Sequence, residues 1–596
     1  MTQRREDDEV LGRAYDARLM ARLWGVTRPH RRLVAASLAL FPLTAGVELL
    51  QPYLVKVAID DHILRRDWLG VGGVAAVFLA SLIALYALRA LQAYVMQLTG
   101  QRVIHDLRRA LFAHLQRLDA AFFDRHPVGR LMTRVINDVE AINELFVSGV
   151  VVVIGDVVTL LGIAAIMLWM NWRLALVAFC LVPLLVAAAG YFRVRARDSY
   201  RRVRTRLARL NAFLQESLQG VTIIQLFARE RDEARLFGSL NADLRAAQFR
   251  STLFEASLYS TVEAMGSVAV ALLLWYGGGD VVTGAFTFGA LTAFLEYTAR
   301  SFLPLRDLGA KYTVMQAAMV SAERIFGLLD TAPGVVGGSR RGPAASAADV
   351  PAVEFRDVWF GYEEGRWVLR ECSFTIGRGE TVALVGPTGE GKTTIARLLT
   401  RAFDAQRGQI LVEGVDVREW DLHALRRRVG LIPQEVFLFT GSVRDNLTLA
   451  ADGAVSAERV DRVVAMAHAG PLLASLPAGL DQEVRERGAN FSQGQRQLLA
   501  IARALIYNPR VLALDEATSS IDAESEALIR SAMGELLRGR ASLIIAHRLS
   551  TVQAADRILV LHKGRIREAG RHAELLAGGG IYARLYELQF GRGAGS

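Results

Sequence analysis

The sequence predicts an all-α membrane domain of six helices followed by an α/β domain that binds phosphate groups. Long apolar segments occupy the first half of the 596 residues, and the second half contains the glycine-rich segment Gly386–Thr393 behind a short apolar run. This length indicates two or more domains. The composition agrees, because 52% hydrophobic and 22% charged residues suit a membrane half joined to a soluble half.

Six apolar segments are candidate membrane spans, since a spanning helix needs about 20 mostly apolar residues. They are residues 33–59, 68–96, 145–170, 174–192, 254–276 and 281–304. Six spans place both termini on the same side of the membrane. The connections 97–144 and 193–253 are long and polar, which predicts helices that extend beyond the membrane in pairs.

Acidic residues lie inside four of these apolar segments: Glu48, Asp156, Glu263 and Glu296. A charge that faces lipid at mid-membrane costs about 2.5–3.5 kcal/mol on insertion scales. We therefore predict that these side chains face a cavity or neighbouring helices. A position near the membrane interface is the alternative for each of them.

The net charge of +10 makes a nucleic-acid partner an alternative to be considered. The arginines are concentrated beside the apolar segments, with eight in residues 1–32 and thirteen in residues 193–252. This distribution is typical of the cytoplasmic flanks of membrane helices. We therefore expect the lipid bilayer as a partner and no nucleic acid.

The glycine-rich segment follows the apolar run Thr381–Val385 and matches the phosphate-loop pattern GxxxxGK[ST]. Its glycines allow backbone N–H groups to converge on phosphate oxygens at the start of a helix. Lys392 can then reach the β- and γ-phosphates, and Thr393 can offer its hydroxyl to Mg²⁺. These residues predict a site for a nucleoside triphosphate.

The second half contains further short motifs whose residue types suit the binding and hydrolysis of a nucleotide. An apolar strand ends at Asp515 and Glu516, of which the first can hold a metal ion and the second can polarise a water molecule. The other motif residues lie at strand ends or in short polar segments: Gln434, Ser492, Gly494, Asp522 and His547.

On these motifs, residues 353–589 resemble the nucleotide-binding domain of an ATP-binding cassette (ABC) transporter. The order of the two halves resembles a half-size ABC exporter. The resemblance implies an α/β P-loop ATPase domain with a helical subdomain, and ATP and Mg²⁺ as ligands. It implies catalytic roles for Lys392, Gln434, Glu516 and His547, and metal contacts for Thr393, Gln434 and Asp515. It implies nucleotide contacts for Tyr362, Gly386, Thr388, Gly389, Gly391, Lys392, Thr393 and Thr394.

The family also implies a partner chain, because two such domains enclose two ATP molecules head to tail. Ser492, Gly494 and Asp522 would then serve a site shared with a second half-transporter. The signature segment has Phe491 and Gln493 where the family has leucine and glycine, and Arg485 replaces a glycine upstream. Altered signatures are frequent in heterodimers with one impaired ATP site, so we favour a heterodimer over a homodimer.

We expect a transmembrane domain over residues 1–325, a flexible linker over 326–352, the nucleotide-binding domain over 353–589 and a tail over 590–596. By the resemblance, a short coupling helix lies near residues 122–131 and a second near residues 215–219.

The expected function is ATP-driven export of a hydrophobic or amphipathic drug, lipid or peptide across the cytoplasmic membrane by alternating access. Both termini would then be cytoplasmic. The excess of arginine over lysine indicates a bacterial source. The alternatives are a soluble ABC ATPase without transport and a membrane protein gated by ATP. The fused apolar segments disfavour the first, and Asp515, Glu516 and His547 disfavour the second.

Overall fold

The computed structural model describes residues 16–145, 149–343, 350–449, 451, 453, 455–515, 523–546 and 549–590. The chain divides into two compact units. The first, here called the helical unit, runs to Gln116 and resumes over Val128–Thr331. The second, here called the ATPase unit, comprises Arg117–Pro127 and continues from Ala332.

The helical unit consists of long helices and short helical turns. Its helices, together with α4 of the ATPase unit, are α1 Ala17–Thr27, α2 Arg31–Val57, α3 Trp68–Leu115, α4 Ala120–Arg125, α5 Val128–Thr133, α6 Val139–Glu144, α7 Val150–Met170, α8 Trp172–Phe179, α9 Val182–Gln219, α10 Val221–Leu226, α11 Glu230–Val282 and α12 Phe288–Leu329. A 3₁₀ turn covers Arg28–His30, and π-helical turns cover Ala58–Ile63 and Arg134–Asp138.

Among the described residues, five helical segments are long and apolar enough to cross a membrane. They are Ala17–Ile63, Trp68–Leu115, Val152–Met170, Trp172–Phe192 and Glu230–Val282. The predicted helical membrane domain is therefore confirmed. The sixth predicted segment, 281–304, is divided between the end of α11 and the first half of α12, so the number of six spans stays a prediction.

The long polar connections of the sequence are parts of continuous helices. Helix α3 has 48 residues and α11 has 53. At about 1.5 Å per residue these helices are roughly 70–80 Å long, more than twice the hydrocarbon thickness of about 30 Å. Each helix therefore continues well beyond the length that a membrane requires.

Two short helices lie near the positions where the sequence predicts coupling helices. Helix α4 belongs to the ATPase unit, where Ala120 and Ala121 pack against the core and Asp119 caps the helix by accepting from the Phe122 N–H (3.0 Å). The second predicted position, 215–219, is the last turn of α9. The separate short helix is α10, which begins after Gly220.

The ATPase unit has two main sheets. Its strands are β1 Val353–Phe360, β2 Leu369–Ile376, β3 Thr381–Val385, β4 Arg407–Val412, β5 Val415–Asp416, β6 Val429–Ile432, β7 Gly441–Ser442, β8 Glu483–Val484, β9 Val511–Asp515, β10 Ala541–Ile545, β11 Arg557–His562 and β12 Arg565–Gly570. One sheet has the order β12-β11-β3-β10-β9-β6 and is parallel except at β12, whereas the antiparallel sheet has the order β2-β1-β4-β5. Strands β7 and β8 form a separate pair.

The helices of the ATPase unit pack into two apolar cores. They are α13 Lys392–Leu399, α14 Leu422–Arg428, α15 Val443–Thr448, α16 Ala457–Met466, α17 Gly470–Ser475, α18 Gln493–Tyr507, α19 Ala523–Leu537, α20 Leu549–Gln553, α21 His572–Ala577 and α22 Ile581–Phe590. The α/β fold predicted from the phosphate loop is confirmed. Part of the predicted linker contacts this unit, because the Gly338 N–H donates to the Trp420 carbonyl (2.8 Å) and Arg401 donates to the Val336 carbonyl (2.9 Å).

The register of the parallel sheet determines where the site lies. Ile545 at the end of β10 is opposite Leu384 in β3 and Asp515 in β9. Ligands of open parallel α/β sheets bind at the carboxyl ends of the strands. The three strand ends therefore bring the phosphate loop and Asp515 to one edge of the sheet.

Candidate functional site

The phosphate loop connects β3 to α13 and has the backbone shape that its glycines permit. Gly389 and Gly391 have φ angles of 87° and 102°, which L-residues with a Cβ rarely adopt. A Cβ on Gly391 would also lie 2.9 Å from Val368 Cγ1. The loop is therefore closely packed against the hairpin between β1 and β2. Thr388 and Gly389 lie at its exposed tip.

Lys392 is the first residue of α13 and is 7% exposed. Its ammonium group donates to the carbonyls of Gly386 (2.7 Å) and Pro387 (2.8 Å). Burial lowers the pKa of this lysine from its usual value, and the carboxylates of Asp515 and Glu390 oppose the shift. The side chain is thus a desolvated cation held against the loop that is to receive phosphates.

Thr393 and Asp515 meet beneath the loop. The Thr393 hydroxyl donates to Asp515 Oδ2 at 2.7 Å, and Asp515 is a buried residue at the end of β9. Hydroxyl and carboxylate oxygens are the ligands that Mg²⁺ prefers. Two residues that are 122 positions apart in the sequence therefore place oxygen atoms suited to a magnesium ion at one point.

Gln434 lies two residues after β6, in an exposed loop. Strand β6 is paired with β9, and Ile432 is opposite Leu514, so Gln434 follows a strand that ends at the same edge of the sheet as Asp515. Three further predicted site residues, Glu516, Asp522 and His547, lie outside the described residues. Their roles stay predictions.

Tyr362 lies in the hairpin loop that follows β1 and is 40% exposed. Its ring makes edge contacts with Phe360 and Phe403, with centroid distances of 5.0 and 5.4 Å. Its hydroxyl is 3.0 Å from the Thr394 hydroxyl in α13. The structure therefore brings Tyr362 and Thr394 together, and this contact fixes one edge of the tyrosine ring while part of the ring stays open.

A cavity of about 490 Å³ lies between Tyr362 and the phosphate loop. Apart from Tyr362 and Gly389, the residues that line it were not predicted as site residues: Glu363, Arg366, Trp367, Val368, Arg370, Glu390, Lys563 and Gly564. The first five come from the segment that leads from Tyr362 into β2, so proximity in the sequence could have indicated them. Lys563 and Gly564 come from the β11–β12 turn, and no sequence signal connects that turn to Tyr362.

An acid–imidazole contact lies at the back of the loop. His562 Nδ1 at the end of β11 is 3.6 Å from Glu390 Oε1. That nitrogen is buried and has no hydrogen-bond partner among the described residues. The contact exists because β11 pairs with β3, the strand that leads into the phosphate loop.

Ser492 and Gly494 form the N-terminus of α18. Ser492 caps the helix by accepting from the Gln495 N–H (3.2 Å), and Gln495 accepts in return from the Ser492 N–H (2.9 Å). In the described residues no hydrogen bond joins Ser492 or Gly494 to the phosphate loop. Arg485 upstream has φ −77° and ψ 172°, an extended conformation that any residue adopts, so the backbone there does not require the family's glycine.

Three of the four predicted intramembrane acids have a basic partner in the helical unit: Glu48 pairs with Arg89 (2.9 Å), Glu296 with Arg300 (2.5 Å), and Asp156 with Lys311. Arg300 also donates to the Glu48 carbonyl at 2.8 Å. Glu263 is exposed and has no ion-pair or hydrogen-bond partner in the part of the chain that the structure describes.

Two family models match this chain. One is described as the ABC transporter transmembrane region and matches residues 34–305. The other is described as ABC transporter and matches residues 369–519. The two matches fall on the helical unit and on the ATPase unit, in the order that the sequence predicts.

Relatives and a solved structure cover nearly the whole chain. A probable multidrug resistance ABC transporter ATP-binding/permease protein of Bacillus subtilis (strain 168) is 37% identical over 504 residues, which are 84% of this chain and 74% of that protein. An ATP-dependent lipid A-core flippase of Syntrophus aciditrophicus (strain SB) is 33% identical over 585 residues, 96% of this chain and 94% of that protein. A bacterial Atm1-family ABC exporter solved with ATP bound has a TM-score of 0.76, 29% identity, and coverage of 94% of this chain and 98% of its own.

These matches exclude a soluble ATPase, because the transmembrane region is part of the similarity. The protein is a multi-pass membrane protein with an ATP-binding domain, and it hydrolyses ATP to drive transport. The chain belongs to the ABC transporter family, as an exporter that carries its membrane domain and its ATPase domain in one polypeptide.

Proposed function

We propose that this chain is one half of a dimeric exporter that moves a hydrophobic or amphipathic drug, lipid or peptide across the cytoplasmic membrane by alternating access. The observation that carries this proposal is the contact of Thr393 with Asp515 behind a phosphate loop, in a chain with five helical segments of membrane-spanning length among its described residues. Two relatives, a lipid A-core flippase and a probable multidrug resistance transporter, support substrates of this class.

At the phosphates, the backbone N–H groups of the loop from Gly386 to Gly391 would bind oxygen atoms at the start of α13. Lys392 would exchange its two carbonyl acceptors for phosphate oxygens, which are charged and therefore stronger acceptors. Thr393, Asp515 and Gln434 would hold Mg²⁺, which neutralises phosphate charge when it is bound. The distance of 2.7 Å between the Thr393 hydroxyl and Asp515 fits this role.

Hydrolysis needs a base and a group that stabilises charge on the γ-phosphoryl group. We assign the first role to Glu516, which directly follows Asp515, and the second to His547 together with Lys392. Ser492, Gly494 and Asp522 would complete the site of the partner chain. ATP then favours the closed state of the dimer because it binds that state more tightly, and hydrolysis resets the cycle.

Substrate-stimulated ATP hydrolysis in lipid vesicles tests the export proposal. A panel of cationic, neutral and lipid-like amphiphiles should contain compounds that raise the ATPase rate and are moved across the bilayer. An ion conductance that opens with ATP, without stimulation by any amphiphile and without transport, would instead support a gated membrane protein.

Tyr362 provides a prediction about the base of the nucleotide. If adenine stacks on the open part of this ring in the 490 Å³ cavity, Tyr362→Ala should weaken ATP binding by about 1–3 kcal/mol, the usual contribution of one base–aromatic stack. Titration with ATP and with inorganic tripolyphosphate distinguishes the contribution of the adenine base to the affinity from that of the phosphates. Only ATP should lose affinity.

Tyr362→Phe is the matched control, because it keeps the ring and removes only the hydroxyl that contacts Thr394 (3.0 Å). It should bind ATP nearly as well as the unchanged chain. An equal loss of affinity for tripolyphosphate in Tyr362→Ala would mean that the substitution damages the phosphate loop and that the stacking role is wrong.

We further propose that the partner is a different half-transporter, because Phe491 and Gln493 alter the signature segment. The purified chain alone should then hydrolyse ATP slowly, and co-expression with the correct second half should restore turnover. Native mass spectrometry of the active complex measures its composition. Full transport by two copies of this chain would rule out the heterodimer.

The same scheme places both termini and the ATPase domain in the cytoplasm, with the helices in the inner membrane of a bacterium. The concentration of arginines in residues 1–32 and 193–252 supports this orientation.

A further inference from the structure

The contact between His562 and Glu390 is not explained by the roles assigned so far to the nucleotide site. His562 is the last residue of β11, and its Nδ1 lies 3.6 Å from Oε1 of Glu390 in the phosphate loop. This nitrogen is buried and has no hydrogen-bond partner among the described residues. A carboxylate only accepts hydrogen bonds, so the contact is favourable when the imidazole carries a proton on Nδ1. A small movement of either side chain then forms a hydrogen bond.

The end of β11 is closely packed against the phosphate loop. Strand β11 pairs with β3, which leads into the loop, and a Cβ on Gly386 would lie 2.2 Å from the Leu561 carbonyl oxygen. The turn after His562 is also held in place, because the Arg370 N–H donates to the Gly564 carbonyl (2.8 Å). The backbone of His562 therefore has a fixed position relative to the loop.

Glu390 brings a negative charge into a loop that is proposed to bind phosphates. Its side chain lines the cavity beside Gly389. Burial lowers the pKa of Lys392, and the charges of Asp515 and Glu390 oppose this shift, so the field of the Glu390 carboxylate extends to the ammonium group that is to bind phosphates. Like charges repel more strongly the closer they lie. The position of this carboxylate therefore influences the affinity for ATP.

We propose that His562 is a positioning residue of the nucleotide site, which binds the Glu390 carboxylate on the β11 side of the phosphate loop and keeps this charge away from the phosphates of ATP. This inference rests on the proposed binding of ATP at the loop. The negative charge of the bound nucleotide pushes the carboxylate further towards the imidazole and strengthens the contact. In this role His562 acts on the nucleotide only through Glu390.

Removal of the imidazole should release the carboxylate towards the phosphates. Titration of the active dimer in lipid nanodiscs measures the binding of ATP and of inorganic tripolyphosphate. His562→Leu should weaken both ligands roughly tenfold, the scale expected when a carboxylate moves by about 2 Å beside a polyanion at an effective dielectric constant of about 20. The KM for ATP should rise while kcat changes little. His562→Asn keeps a donor near the position of Nδ1 and should restore most of the affinity.

A double variant shows whether His562 acts through Glu390. Glu390→Gln removes the charge, so this variant should bind ATP at least as tightly as the unchanged chain. When His562→Leu is added to Glu390→Gln, it should have little further effect, because the two residues are coupled. An equal loss of affinity in both backgrounds would show that His562 supports the fold of the loop, and would overturn the proposal. Weaker binding of ATP by Glu390→Gln alone would mean that the carboxylate is a nucleotide ligand, and the positioning role would be wrong.

Ionic strength provides a second measurement, which remains informative if His562→Leu lowers the unfolding temperature. Salt screens the repulsion between charges, so the ratio of the ATP affinities of His562→Leu and the unchanged chain should approach one as the salt concentration rises. A ratio that does not depend on salt would contradict the proposal. His423→Gln is the matched control, because His423 is an exposed histidine of α14 in the same unit, and it should bind both ligands normally.

Lys392→Ala in the same titration distinguishes a failure of this proposal from a failure of the proposed site. If Lys392→Ala binds ATP normally, the nucleotide does not bind at the phosphate loop, and both proposals are wrong. If Lys392→Ala binds ATP weakly while His562→Leu binds it normally, the site is correct and only the positioning role of His562 is wrong.

Discussion

Replacement of Glu516 by glutamine is expected to lower ATP turnover by roughly a hundredfold or more, the usual scale of a lost general base. Glutamine has nearly the same shape as glutamate but cannot accept a proton from the attacking water. The phosphate loop, Lys392 and the Thr393–Asp515 contact are unchanged by this substitution. ATP binding should therefore persist while hydrolysis stops.

The measurement combines steady-state phosphate release with the rise in unfolding temperature that saturating ATP produces, because a ligand that binds only the folded state stabilises it. Glu535→Gln in α19 is a suitable control, since Glu535 is engaged with Arg538 (2.9 Å). This control should retain normal turnover. A Glu516→Gln variant that releases phosphate at a near-normal rate would contradict the assignment of the base.

The parts of the site that could be predicted are those where one short segment determines the local structure. The phosphate loop needs glycines at positive φ directly before a helix, and Gly389 and Gly391 satisfy this in the sequence and in the structure. Asp515 was predictable for a similar reason, because an apolar strand ends there. The phosphate loop and Asp515 meet at the carboxyl ends of the strands, where open parallel sheets generally bind their ligands.

The parts that could not be predicted depend on the pairing of distant strands. Lys563 reaches the cavity near Tyr362, and His562 reaches Glu390, only because β11 pairs with β3. Nothing in the local sequence of the β11–β12 turn specifies that neighbour. The pairing of Asp156 with Lys311 is unpredictable for the same reason, since it joins α7 to α12.

The backbone conformation upstream of the signature segment could not be predicted from the sequence. Arg485 stands where the family has a glycine. In the structure Arg485 is extended, and positive φ angles occur at Arg487 (55°) and Gly488 (70°). The sequence motif alone cannot show which residue of a loop adopts the left-handed conformation.

Lys392→Ala is expected to weaken nucleotide binding itself, in contrast to Glu516→Gln. A hydrogen bond to a charged group contributes about 1.5–3 kcal/mol, so the loss of this ammonium group should weaken ATP binding by roughly ten- to more than a hundredfold. Titration with ATP and the ATP-induced rise in unfolding temperature both measure this effect. Thr400→Ala at the end of the same helix is the control, because the Thr400 hydroxyl donates to carbonyls of α13 itself (3.2 Å).

Without nucleotide, replacement of Lys392 should not destabilise the protein, and the direction of the Lys392 pKa shift explains why. Burial lowers this pKa in the folded state, so the protonated amine opposes folding at neutral pH, and this opposition decreases only as the pH rises from the folded-state pKa towards the higher pKa of the unfolded chain. Lys392→Met should therefore leave the unfolding temperature without nucleotide unchanged or slightly higher at pH 7, although it binds ATP more weakly. A large drop in that temperature would show that the two bonds to the loop carbonyls stabilise the domain, and would assign Lys392 a structural role.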